Sequence, residues 1–136
     1  MEVIEAYAFR SSGLESLDLQ NTDVRTIGMR AFYKCTRLEG HLELPPSLQS
    51  IGSEAFFGCR DIRWADISVT GVTSIGYAAF ERCSSLQAVA FPTTLRHVDG
   101  DAFKGTPAEF DCPEGPRPCG PGTFCGVGSS IAALCP

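Results

Sequence analysis

The chain has 136 residues, 43% of them hydrophobic and 20% charged, with a formal net charge of −5 from 11 Lys and Arg against 16 Asp and Glu. Those fractions are globular and exclude wholesale disorder, while an acidic chain whose only lysines are Lys34 and Lys104 is poorly suited to nucleic acid or to an anionic membrane. No window nears the roughly 18 consecutive apolar residues of a transmembrane helix, and the opening MEVIEAYAFR has neither the basic nor the apolar region of a secretory signal.

From the N-terminus onward, the dipeptide Ala-Phe recurs at Ala8-Phe9, Ala31-Phe32, Ala55-Phe56, Ala79-Phe80 and Ala102-Phe103, at spacings of 23, 24, 24 and 23 residues. An aliphatic residue stands four positions before each of these alanines: Ile4, Ile27, Ile51, Ile75 and Val98. Gly28, Gly52 and Gly76 follow it in the middle copies, and Cys35, Cys59 and Cys83 come three residues after the Phe, with Ser12 and Thr106 in the outer copies. Ile51, Ala55 and Cys59 are four apart, which predicts one or two turns of helix over this segment, too short to persist without neighbours.

Between the Ala-Phe segments lies a second pattern. It reads Leu14-x-x-Leu17-x-Leu19, then Leu42-x-Leu44-Pro45 with one extra residue after Leu38, then Ile62-x-x-Ala65-x-Ile67, then Leu86-x-x-Val89-x-Phe91-Pro92. Such alternation predicts a short strand in each copy, stopped at Pro45 and Pro92 because proline cannot donate to a ladder. A unit of one strand and one short helix cannot bury its apolar face alone, but stacked copies can. The expected architecture is therefore α/β: a solenoid over residues 1–105 with a parallel sheet and short helices. Cys35, Cys59 and Cys83 are expected to be small buried residues that point the same way and do not bridge. Tyr33 and Phe57 are expected to pad the convex side.

These residues resemble the BspA-like leucine-rich repeats, whose signature is Leu-x-x-Ile-x-Ile-Pro-x-Ser-Val-x-x-Ile-Gly-x-x-Ala-Phe-x-x-Cys. The resemblance covers about residues 4–105. It implies a right-handed, curved leucine-rich-repeat solenoid and a non-enzymatic role in adhesion or protein recognition at a cell surface.

Residues 106–136 differ in kind. They hold six of the nine prolines and four of the seven cysteines, Cys112, Cys119, Cys125 and Cys135. Their spacing lacks the close pairs of a structural zinc site, so two disulfides are favoured over zinc, with all three pairings open. Cys112-Pro-Glu-Gly and Cys119-Gly-Pro-Gly-Thr-Phe-Cys125 resemble the cysteine-rich ephrin-receptor-like modules of ectodomains. A small disulfide-rich tail module is expected here, and the whole is read as part of a longer, extracellular or cell-surface chain.

Function in such a solenoid is expected on the concave face. The central outward position of the strands reads Asp18, Glu43, Asp66 and Ala90, and the neighbouring one Ser16, His41, Trp64 and Ala88. Asp18, His41, Glu43, Trp64 and Asp66 are therefore the candidate contacts for a protein or glycan ligand. Neither His41 nor His97 lies in a metal-binding or nucleophile–base motif, and the glycine-rich segments lack the lysine of a phosphate loop. No catalytic residue, cofactor or metal is expected, nor a nucleic-acid partner or membrane insertion. The alternatives are a structural spacer, or an intracellular leucine-rich-repeat scaffold with a zinc-bound tail.

Overall fold

The computed structural model describes residues 2–111, without the side chains of residues 109–111. It is a parallel β-solenoid with two sheets, to both of which every coil after the first contributes. One sheet has the order β1-β2-β4-β6-β8, formed by Val3–Ile4, Thr26–Ile27, Ser50–Ile51, Ser74–Ile75 and His97–Val98. The other has the order β3-β5-β7-β9, formed by Gly40–Glu43, Ile62–Asp66, Ala88–Ala90 and Glu109–Asp111. The second sheet is the expected one, and β9 adds a rung to it beyond residue 105.

The short helices expected over the Ala-Phe segments do not form; among the described residues each segment is a run of turns. Backbone sign explains the difference. The residue before each Ala-Phe (Tyr7, Arg30, Glu54, Ala78 and Asp101) has positive φ, and so does the second residue after it (Ser11, Lys34, Gly58, Arg82 and Gly105). A right-handed helix cannot accept left-handed residues at that frequency. The N–H groups consequently divide. Those of Ala31, Tyr33 and Cys35 close local turns onto the oxygens of Gly28, Arg30 and Phe32, each at 3.2 Å. Those of Arg30, Phe32 and Lys34 donate to Ser53, Ala55 and Phe57 of the next coil at 2.9, 2.8 and 2.7 Å. The apolar four-residue spacing that suggests a helix is here the period of the turns.

The residues leading into these turns form the first sheet, which the sequence pattern did not announce. Ile27, Ile51 and Ile75 pair in register, and the glycine after each lets the coils close. A Cβ on Gly28, Gly52 or Gly76 would come within 2.6–2.8 Å of backbone atoms of the preceding coil. The first copy of the other sheet is also missing: residues 14–19 carry no strand. The register of β3 on β5 shifts between Gly40 and His41, passing over Arg63, and Gly40 sits at φ 77°. Residues 14–19 are tied to the second coil by the Glu39 N–H donating to the Glu15 carbonyl oxygen at 3.1 Å and by the Arg37–Glu15 ion pair.

Between the sheets and the turns, one phenylalanine from each coil stacks on the next. Phe9, Phe32, Phe56, Phe80 and Phe103 have successive centroid distances of 5.3, 5.1, 5.2 and 5.3 Å and ring planes within 3–10°. Phe32, Phe56 and Phe80 are fully buried, whereas Phe9 is 41% exposed at the first coil. Leu42, Ala65 and Val89 line the inner side of the other sheet.

The interior of the stack should therefore be far more sensitive than its first coil. Phe56→Ala is expected to cost about 3–5 kcal/mol in urea unfolding, and Phe9→Ala much less. Gly52→Ala, which adds only a methyl, should also destabilise by about 1–3 kcal/mol because its Cβ meets backbone rather than a movable side chain.

Candidate recognition face

The sheet β3-β5-β7 turns two columns outward. His41, Trp64 and Ala88 are register partners in one, and Glu43, Asp66 and Ala90 in the other. Four of the five candidate residues thus lie side by side on two adjacent strands. The fifth, Asp18, is exposed on the segment that carries no strand.

Alternation fixes this presentation. Leu42 and Ala65 are buried, so their strand neighbours, His41 and Glu43, Trp64 and Asp66, point away from the core. Trp64 is half-buried and packs edge-on against exposed His41, with ring centroids 4.9 Å apart at 69°. Val69, which could have covered the tryptophan, is itself 60% exposed.

The acids do not all have the same work. Asp66 accepts from the Ser68 N–H at 2.9 Å and from its hydroxyl, and Asp18 accepts from the Gln20 N–H at 3.0 Å. Both carboxylates close their own turns two residues on. Ala90, the next rung after Asp66, is only 8% exposed, so the acidic column ends there within residues 2–108. The Glu43 carboxylate makes no hydrogen bond or ion pair among the described residues. Glu15, Arg37, Glu39 and Asp61 line a shallow hollow of about 160 Å³ beside the strand starts, with an Arg37–Glu15 ion pair across it.

The three repeat cysteines are buried free thiols. Cys35, Cys59 and Cys83 donate to the carbonyls of Phe9, Phe32 and Phe56 in the preceding coil, at 3.0, 3.1 and 3.1 Å. They pin one coil to the next, in keeping with the small buried role expected for them, although the Cys59 thiol, with Ser12, draws Cys35 down from 9.0 to about 6. Burial pushes the Cys83 thiol up from 9.0 to about 12. The adjoining Cys35 thiol, and then burial, push Cys59 up as well. Among the described residues no group of His, Cys, Asp and Glu could hold a metal ion, and no helix is long and apolar enough to cross a membrane. Cys112, Cys119, Cys125 and Cys135 lie outside the described residues.

Stacked coils of 23–24 residues with parallel strands define a repeat solenoid of the leucine-rich kind. The family model for the BspA type leucine-rich repeat region (6 copies) matches residues 2–115, and the chain belongs to that family. No curated protein and no solved structure matches it. The family suggests a protein-interaction module and is typically non-enzymatic. Its match stops at residue 115 and lends no support to an ephrin-receptor-like tail.

Because the folded chain keeps the Cys83 proton that the unfolded chain gives up, stability should fall as pH rises from 9.0 towards about 12. Cys83→Ala should flatten that fall in chemical denaturation. At pH 8, iodoacetamide followed by peptide mapping should leave Cys59 and Cys83 unlabelled until denaturant is added.

Proposed function

We propose that the chain is a non-enzymatic recognition module of a cell-surface or secreted protein. Its protein or glycan ligand lies across β3, β5 and β7 and contacts His41, Glu43, Trp64 and Asp66, with Asp18 at the margin. The observation that carries this reading is the juxtaposition of the His41–Trp64 edge contact with the Glu43–Asp66 pair on one outward face. A half-exposed tryptophan is the side chain that most often anchors an interface. Two carboxylates on rungs ~4.8 Å apart repel one another, and a partner bearing a cation relieves that repulsion. Glu43 is the acid to weight most, since Asp18 and Asp66 already serve their own turns.

The tail enters the proposal through its compartment. Two disulfides among Cys112, Cys119, Cys125 and Cys135, in an ephrin-receptor-like module, belong to an oxidising environment. Alkylation of the unfolded but unreduced native chain should then block three of the seven cysteines, and all seven after reduction. Seven free thiols at the outset would move the chain to a reducing compartment.

The face itself is tested by biolayer interferometry of the full chain against purified cell-surface and extracellular-matrix proteins. For any partner found, Trp64→Ala is expected to weaken binding at least ~10-fold, about 1.4 kcal/mol. Glu43→Lys should do the same, and Gln49→Ala should not. Retention of full affinity by both face variants would remove this face from the function.

A further inference from the structure

The turn ridge of the solenoid carries a second cluster, of opposite charge to the sheet face. Tyr33 and Phe57 follow the core phenylalanines on successive coils and stack on each other, with centroids 5.0 Å apart and planes at 12°. Cations occupy their remaining faces. The Arg10, Lys34 and Arg30 heads lie 5.7, 5.4 and 5.2 Å from the Tyr33 centroid, and Arg82 lies 5.7 Å from that of Phe57. Arg30 is neutralised by Glu54 through two hydrogen bonds of 3.2 and 3.0 Å. Arg10, Lys34 and Arg82 have no ion pair among the described residues. The acids of the ridge lie away from the Tyr33 ring or are engaged: in the Tyr33–Phe57 column Glu81 follows Phe57 and is itself followed by Lys104, and Asp101 accepts from the Tyr77 hydroxyl at 3.4 Å.

Two features make this more than a solvated charge run. First, the cations crowd one ring in a chain whose formal net charge is −5. Second, Lys34 and Arg82 sit at φ 54° and 61°, in the turn position that the third and fifth coils fill with Gly58 and Gly105. A left-handed non-glycine residue costs roughly 1–2 kcal/mol, so the chain holds these two cations at positions where glycine is conformationally cheaper. Gly58 also makes room for Lys34, since a Cβ there would come within 3.3 Å of the Lys34 Cγ.

We propose that this ridge binds a linear sulfated glycan running along the solenoid axis, with Arg10, Lys34 and Arg82 as its principal sulfate contacts. Successive coils advance ~4.8 Å, so one flexible polyanion meets cations of coils one, two and four together. Rings stacked coil on coil turn their edges to solvent, and a ring edge is the electropositive part of the quadrupole. Single-stranded nucleic acid is disfavoured for a specific reason. Its bases need free aromatic faces, and here those faces are already covered by Arg10, Arg82 and the partner ring.

The test is calorimetry or biolayer interferometry of the full chain with a heparin dodecasaccharide at about 50 and 200 mM salt. Unsulfated hyaluronan and a thymidine dodecamer serve as comparators. The wild type is expected to bind heparin at the lower salt, more tightly than either comparator. The double variant Lys34→Gly/Arg82→Gly adopts the residue of the sister coils, so it should unfold at no lower temperature. It should bind at least ~10-fold more weakly, with a shallower salt dependence. Arg10→Gln should weaken binding further, and Trp64→Ala should leave it unchanged, which separates this ridge from the sheet face. No heparin binding at about 50 mM salt, equal binding by the folded double variant, or equal binding of the thymidine dodecamer would each overturn the proposal.

Discussion

The structure depends on how the backbone N–H groups of the Ala-Phe turns are shared. In each of the first four segments alternate donors stay within the coil and the rest cross to the next one. A helix would have satisfied all of its interior donors locally and left the coils joined on this side by side chains alone. Here the coil is incomplete without its neighbour, because buried donors that find no acceptor are costly. The phenylalanine stack, the thiol-to-carbonyl bonds of Cys35, Cys59 and Cys83 and the close approach at Gly28, Gly52 and Gly76 all follow from that exchange. Each needs the coils held at strand spacing, and each repeats with the same period. Stability of this kind is a sum over neighbours rather than a property of any one unit.

Much of this was legible in the sequence because a repeat multiplies weak signals. Five registers of Ala-Phe and four of the alternating strand fixed the period, the parallel sheet and the buried residues, and the placement of Cys35, Cys59 and Cys83 followed from Ser12 and Thr106 at the same position. The turn geometry was not legible. Ile51, Ala55 and Cys59 repeat every four residues whether the segment is a helix or a run of turns, and periodicity alone does not separate the two. The distinguishing signal was present but quiet: Gly58 and Gly105 alternate with Ser11, Lys34 and Arg82 at one position, as they would where φ must be positive. The sheet built on Ile27, Ile51 and Ile75 was hidden for a related reason, since two-residue strands leave no alternation to read.

The candidate face was legible in part. Alternation placed Glu43 and Asp66 in one outward column and His41 and Trp64 in the other, because strand side chains have no other choice once the inner set is known. Asp18 fell outside because its segment, despite the same alternation, carries no strand. What the outward acids do could not be read from columns. Asp18 and Asp66 both stand two residues before an N–H they accept, and that turn-closing role looks the same in sequence as an unengaged acid.

Charge was the quantity that composition concealed most. A net −5 describes the average of the chain, whereas a solenoid deals its residues into columns, each with its own sign. The sheet face carries Glu43 and Asp66; the turn ridge carries Arg10, Arg30, Lys34 and Arg82 around two rings. The two are built from alternate needs of the same coil. Strand pleat sends polar residues out on one side, and the positive-φ turn sends them out on the other, where glycine in one coil leaves space for a long side chain in the one before. Since neither set enters the phenylalanine core, a column can change its charge without disturbing the stack. That separation lets one short fold present two chemically opposed surfaces, and it is why the ridge must be read residue by residue and not from the overall acidity of the chain.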